Sequence, residues 1–180
     1  MIDYKDKIGE KYKKILFIHG WGFSEEIWIN FASKIFKLEN CIFLNVYTYL
    51  ESCEGDLEEV AKKVLDDHKD VDLIFSWSLG CYVAKEIEAL VNLNTIKMIY
   101  ISYSPRFMKS EEWNFGFEEN QILKLKQDLR NDRKKAIKNF YLLILGDLKS
   151  KKFFYKEVFL YIDSVMKINL KTLNIGLDII

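Results

Sequence analysis

Apolar residues fall in short dense blocks along the first hundred positions. Residues 13–19 (KKILFIH), 41–47 (CIFLNVY), 72–75 and 96–101 (IKMIYI) are brief runs rich in Ile, Val, Phe and Leu, the pattern of strands buried on both faces. Between them the apolar period lengthens. Ser24 reads as a helix cap followed by acidic Glu25 and Glu26, with Ile27, Trp28, Phe31, Ile35 and Phe36 at helical spacing. Residues 56–68 predict a second helix through Leu57, Val60, Ala61, Val64 and Leu65, and residues 81–91 a third. Strand and helix alternating through short connections predict right-handed crossovers, hence an α/β fold with a mostly parallel sheet flanked by helices.

The sole proline, Pro105, ends this alternation, and from Lys109 onward the patterning is almost purely helical. Residues 118–129, 133–145 and 151–168 predict amphipathic helices, with Phe140, Tyr141, Leu142 and Leu143 too apolar for a solvated face. The expected organisation is a core over residues 1–105 and a helical cap over residues 106–180, laid on the carboxyl edge of the sheet.

Composition narrows the function classes. The 180 residues carry 27 Lys+Arg against 27 Asp+Glu, so no net positive field favours nucleic acid. With 49% hydrophobic residues, 8 Gly and 1 Pro, the chain has the means to bury a core. Cys41, Cys53 and Cys81 are odd in number and widely spaced, which predicts reduced thiols and no zinc site. The polar stretch 2–14 lacks the order of a signal peptide, and no apolar run reaches the ~18 residues of a membrane span. The expected address is the cytoplasm, with no membrane or nucleic-acid partner.

The sharpest chemical signal is Ser76-Trp77-Ser78-Leu79-Gly80, between an apolar strand and a helix. It is a nucleophile-elbow pattern with Ser76 in place of the first glycine. Small residues two before and two after let strand and helix approach while Ser78 is lifted at the turn. The Leu79 N–H then lies at the amino end of the following helix, where partial positive charge favours an oxyanion. The bland alternative is a serine capping an ordinary helix. His19-Gly20-Trp21-Gly22 ends an earlier strand, and in a doubly wound sheet both loops open at the carboxyl edge, which brings the Trp21 N–H forward as a second donor. His19 has two readings, a hydrogen-bonded residue that shapes this loop or a base for Ser78. Tyr47, Tyr49, Tyr100 and Tyr103 either line the cleft or fill the core; packing is the expectation for most.

These two motifs, followed by Ser104-Pro105-Arg106-Phe107, Glu112-Trp113 and Leu173-Asn174-Ile175-Gly176-Leu177-Asp178-Ile179-Ile180, resemble the pimeloyl-acyl-carrier-protein methyl ester esterases of biotin synthesis, a group of α/β-hydrolases. The resemblance implies a serine carboxylesterase without metal or cofactor, with Ser78 as nucleophile and the Trp21 and Leu79 amides as oxyanion hole. It implies that Trp21, Trp77, Leu79 and Phe140 line an apolar channel for the pimeloyl chain. It also implies that basic cap residues grip an acyl carrier protein bearing the pimeloyl methyl ester. Lys135 matches one such position and Asn139 falls at another; Arg130, Arg133, Lys134 and Lys138 add positive charge nearby. A solvated helix face is the alternative meaning of that run.

A serine hydrolase also needs a base and an acid that orients it, and in this architecture both follow the cap. No histidine follows His68, which the pattern puts on the opposite rim, and Asp56, Asp72, Asp147, Asp163 and Asp178 are unsuitably placed. The expectation is a hydrolase lacking its C-terminal Asp and His, either truncated or split, with a second chain completing the sheet. The alternatives are a non-catalytic acyl or carrier-protein binding module and a general small-ester esterase.

Overall fold

The computed structural model describes residues 11–91, 95–146 and 152–180. Residues 2–10 of the polar leader, Asp147, and Lys151 at the start of the helix expected over 151–168 lie outside them.

Four strands, β1 (Ile15–Ile18), β2 (Cys41–Leu44), β3 (Leu73–Trp77) and β4 (Lys97–Ile101), form one parallel sheet in the order β2-β1-β3-β4. Five helices belong to the alternating half or its return: α1 (Ile29–Ile35), α2 (Val46–Ser52), α3 (Leu57–Asp67), α4 (Leu79–Leu90) and, much later, α9 (Leu170–Ile179). Between them in sequence come α5 (Glu119–Asn131), α6 (Arg133–Leu145), α7 (Lys152–Phe159) and α8 (Ile162–Met166). A 3₁₀ turn at Glu25–Trp28 precedes α1 and another at Leu38–Asn40 precedes β2.

Alternate side chains of each strand feed opposite layers. Ile15, Phe17, Leu73 and Phe75 pack against Trp28, Ala32 and Phe36 on one face, where Phe17 stacks on Phe75 and Phe43 with ring centroids 5.1 and 5.4 Å apart. Leu16, Ile18 and Ile74 face the larger core with Val60, Val64, Val83 and Ile87 of α3 and α4. Both faces are therefore covered, as the unbroken apolar runs predict. From β1 the chain moves outward to β2, whereas from β3 it moves the other way to β4. The connections reverse between β1 and β3, and the crevice at such a switch point opens at their carboxyl ends.

Several element boundaries differ from the sequence reading. Ser24 makes no cap hydrogen bond, and the turn after it is 3₁₀ before α1 begins. The strand expected over 41–47 stops at Leu44, because the Asn45 side chain accepts from the Tyr47 N–H and caps α2. The helix expected over 151–168 breaks at Leu160–Tyr161 into α7 and α8. Residues 107–118 are not helical: bridges join Met108 to Phe117 and Ser110 to Trp113, and the first later helix starts at Glu119 behind a Glu118–Gln121 capping box.

Candidate active site

Ser78 joins β3 to α4 with φ 51° and ψ −116°, a left-handed conformation costly for a residue bearing a Cβ. Two hydrogen bonds hold it there. Its N–H donates to the Ile101 carbonyl at 3.0 Å, and its own carbonyl accepts from Cys81 N–H at 2.8 Å. The flanking small residues explain how the turn fits. A Cβ on Gly80 would lie 2.6 Å from the Ile18 carbonyl oxygen, so only glycine lets α4 sit this close to the end of β1. Ser76 is fully buried, and its hydroxyl donates to the Ile99 carbonyl at 3.1 Å. Ser78 itself is half-buried.

The loop after β1 lies directly beside it: a Cβ built on Gly20 would meet the Ser78 Cβ at 3.1 Å. Both loops thus meet at the predicted crevice. Among the described residues, no turn, loop or side-chain hydrogen bond takes the backbone N–H of Trp21 or of Leu79. His19 is fully buried, and both its ring nitrogens are occupied. Nε2 accepts from the Val46 N–H at 3.1 Å, so the proton sits on Nδ1, which donates to the Gly20 carbonyl at 2.9 Å. That carbonyl belongs to the same peptide unit as the Trp21 N–H. Burial pulls the imidazole down to a pKa of about 4, against a smaller opposing effect of the Gly20 bond, and keeps it neutral.

The Trp21 indole is 2% exposed and donates Nε1–H to the Leu173 carbonyl of α9 at 2.8 Å. Phe140 meets it edge-on with ring centroids 4.7 Å apart. Gly176 lies under both the Trp21 and Leu79 side chains, where a Cβ would come within 2.9 and 3.1 Å of them. Behind this group lies an apolar cavity of about 290 Å³, lined by Phe107, Phe117, Ile122, Leu125, Phe140 and Leu177 among others. Phe140 and Leu177 are its links to the Trp21 cluster; Ser78, Trp21, Trp77 and Leu79 do not line it. Trp77, half-buried, packs on Phe23 at 4.9 Å and against Gly20.

Comparison with known proteins bears on this arrangement. No protein-family model matches the chain. An esterase from Exiguobacterium antarcticum superposes with a TM-score of 0.68 at 13% identity, over 91% of this chain and 64% of that one. A hydrolase from Oleispira antarctica gives 0.68 at 20% identity, over 92% and 64%. The fold is that of an α/β-hydrolase. The chain is also similar to curated proteins named pimeloyl-[acyl-carrier protein] methyl ester esterase: 24% identical to that of Pseudoalteromonas atlantica over 91% of this chain and 65% of the relative, and 28% identical to that of Legionella pneumophila over 80% and 59%. The resemblance seen in the motifs thus extends along most of the chain, which spans about three-fifths of the length of these relatives.

In this α/β-hydrolase fold the basic residues gather at the end of α5 and on α6. Arg130, Lys134, Lys135 and Lys138 are exposed, while Arg133 is half-buried and donates to the Ile168 carbonyl at 2.5 Å. Carboxylates interleave with them: Lys134 pairs with Asp163 at 3.3 Å, and Asp132 caps α6 through the Lys135 N–H. His68 is remote from the elbow and shares a hydrogen bond with the Tyr49 hydroxyl, which also donates to Asp67. Asp72 accepts from the Lys13 and Lys14 amides at the amino end of β3, Asp56 caps α3, and Asp178 pairs with Lys126. None of these groups reaches Ser78. Among the described residues no cluster of His, Cys, Asp or Glu is arranged to hold a metal ion, and no helix is long and apolar enough to cross a membrane.

Two contributors to the site were missed in the sequence reading. α9 packs on α2 and α4, and Gly176 inside its apolar run was the available sign of a close approach. Tyr141 was read only as part of an apolar stretch, yet its hydroxyl donates to the Gly22 carbonyl at 2.6 Å.

Proposed function

We propose that this chain supplies the nucleophile, oxyanion hole and acyl site of a carboxylic-ester hydrolase acting on a pimeloyl methyl ester carried by an acyl carrier protein. The observation that carries the reading is the strained backbone of Ser78, held at the switch point against the loop that bears Trp21. Backbone strain at a functional turn persists where surrounding structure over-determines it, as the Ile101 and Cys81 bonds do here. In this reading residues 106–180 are the cap, whose last helix α9 returns to pack on α2 and α4 of the core, Phe140 marks the entrance of the acyl cavity, and the exposed lysines of α6 face the acidic carrier.

The chemistry follows from these positions. Ser78 Oγ attacks the ester carbonyl carbon as its proton passes to a base, and the carbonyl electrons move onto oxygen between the Trp21 and Leu79 N–H groups. Collapse of that intermediate expels methanol, which takes up the proton. Water then repeats the sequence on the acyl-serine and releases the carboxylate. His19 serves as a positioning residue rather than the base, since its Nδ1–H orients the Gly20–Trp21 peptide and its Nε2 is occupied. The base and its acid come from polypeptide outside these 180 residues, seated against the β4 edge of the sheet, whose only strand neighbour among the described residues is β3.

The residual turnover of an activated p-nitrophenyl ester that the nucleophile and oxyanion hole sustain without their base should vanish in Ser78→Ala with the circular dichroism spectrum unchanged; equal turnover would remove Ser78 from the mechanism. A second reading is favoured by one observation, the engagement of both histidines away from Ser78. On that reading the chain binds an acylated carrier without cleaving it. Saturable carrier binding with no hydrolysis and no fluorophosphonate adduct at Ser78 marks the binding module. Equal turnover of free methyl pimelate and the carrier-bound ester marks a general small-ester esterase.

A further inference from the structure

The Gly22 peptide groups are held from two sides by buried tyrosines. From the core side, Tyr47 at the start of α2 accepts the Gly22 N–H at 2.7 Å. From the cap side, Tyr141 of α6 donates its hydroxyl to the Gly22 carbonyl at 2.6 Å. Both rings are almost wholly removed from solvent, at 2% and 0% exposure, and burial pushes both phenols above their ordinary pKa, so both stay protonated. Gly22 itself has φ +76°, a conformation with alternatives freely open to glycine in an unrestrained loop. Phe23 stacks on Tyr141 with ring centroids 4.5 Å apart, and Phe140 touches the position of a Gly22 Cβ at 3.0 Å, so α6 grips the residue by packing as well as by hydrogen bonding.

We propose that Tyr47 and Tyr141 are positioning residues that clamp Gly22 so that the Trp21 N–H stays aimed at the oxyanion formed from the substrate carbonyl beside Ser78, and that Tyr141 couples seating of the cap to the oxyanion hole. The inference rests on the reading of Trp21 as an oxyanion donor. Its physical basis is the number of restraints on a short loop. His19 fixes the Gly20 carbonyl, the Trp21 indole is tied to α9, and the two tyrosines fix the next residue's N–H and C=O. Preorganised donors stabilise a developing anion because they need not reorient during reaction. Removing either hydroxyl frees one Gly22 peptide group to rotate while leaving both rings in place. A cap helix that shifts away takes the Tyr141 bond with it, so an open cap leaves the hole less ordered than a closed one.

The test uses the full chain and the variants Tyr47→Phe, Tyr141→Phe and the double variant, with Val83→Ala as a core-destabilised control that leaves the clamp intact. Three quantities are read: amide exchange at Gly22, the amide resonance of Trp21, and the affinity of Ser78 for phenylboronic acid, followed by the tetrahedral boron signal that Ser78→Ala abolishes. The clamp predicts exchange at Gly22 at least tenfold faster in Tyr47→Phe. It predicts a shifted Trp21 amide resonance in Tyr141→Phe, and boronate affinity about tenfold weaker in each variant, with Val83→Ala unchanged in all three readouts. Wild-type exchange, resonance and affinity in the two tyrosine variants would overturn it. If the wild-type chain forms no boronate adduct, the reading of Ser78 as nucleophile fails, and the amide measurements alone decide the clamp.

Discussion

At Ser78 the proposed role as nucleophile and the stability of the fold make opposite demands. Its positive φ costs on the order of 1 kcal/mol for a residue bearing a Cβ, so Ser78→Gly should raise stability by about that amount in urea melts while ending ester turnover. A destabilised Ser78→Gly would mean that the hydroxyl contributes more to the fold than the turn costs. The elbow was legible because its small flanking residues answer a steric demand that the sequence displays directly. His19 was legible only as two alternatives, since the choice depends on the Val46 amide, brought to the ring by the unforeseen α2. Its burial has a pH signature. The unfolded chain takes up a proton near pH 6.5, whereas the folded imidazole resists until about pH 4. Its neutral form therefore stabilises the fold fully above about pH 6.5, and about 3 kcal/mol of that is lost as pH falls through this window. Denaturation between pH 7 and pH 4 should show a steeper loss for wild type than for His19→Gln; parallel profiles would contradict the assignment.

Among the elements, the strand-to-helix approach at Gly80 is the tightest described joint of the site. Gly80→Ala would thrust a methyl group against the Ile18 backbone, which cannot swing aside as a side chain can. The expected cost is about 1–3 kcal/mol in chemical denaturation, with Ser78 displaced from the loop; a neutral substitution would show that β1 and α4 have slack. α2 shows why the sequence misled at residues 41–47. Val46 and Tyr47 are residue types that favour strands, so the apolar run appeared continuous. Local capping by Asn45 and burial of Val46, Tyr47 and Leu50 on one helical face override that preference. Asn45→Ala should cost about 1 kcal/mol and loosen Tyr47 from Gly22, read as faster Gly22 amide exchange.

Over the whole molecule, the sheet and its two covered faces were legible because four apolar runs alternate with helical periods, which leaves few topologies. The later helices were legible as a class, but the return of α9 onto Trp21 and Leu79 was not, since long-range packing leaves little trace in local periodicity. The chain's charge balance is even, so under the proposed function any attraction for an acidic carrier comes from the local cluster on α6. Lys135→Glu with Lys138→Glu should weaken carrier binding at least tenfold at low salt and flatten its salt dependence, as titration calorimetry would register. The most direct measurement of the central claim is a crystal structure of the chain with phenylboronic acid. A tetrahedral boron on Ser78 Oγ, with one boronate hydroxyl about 3 Å from both the Trp21 and Leu79 nitrogens, is the predicted result. Boron bound elsewhere, or an adduct whose hydroxyls turn away from those amides, would contradict it.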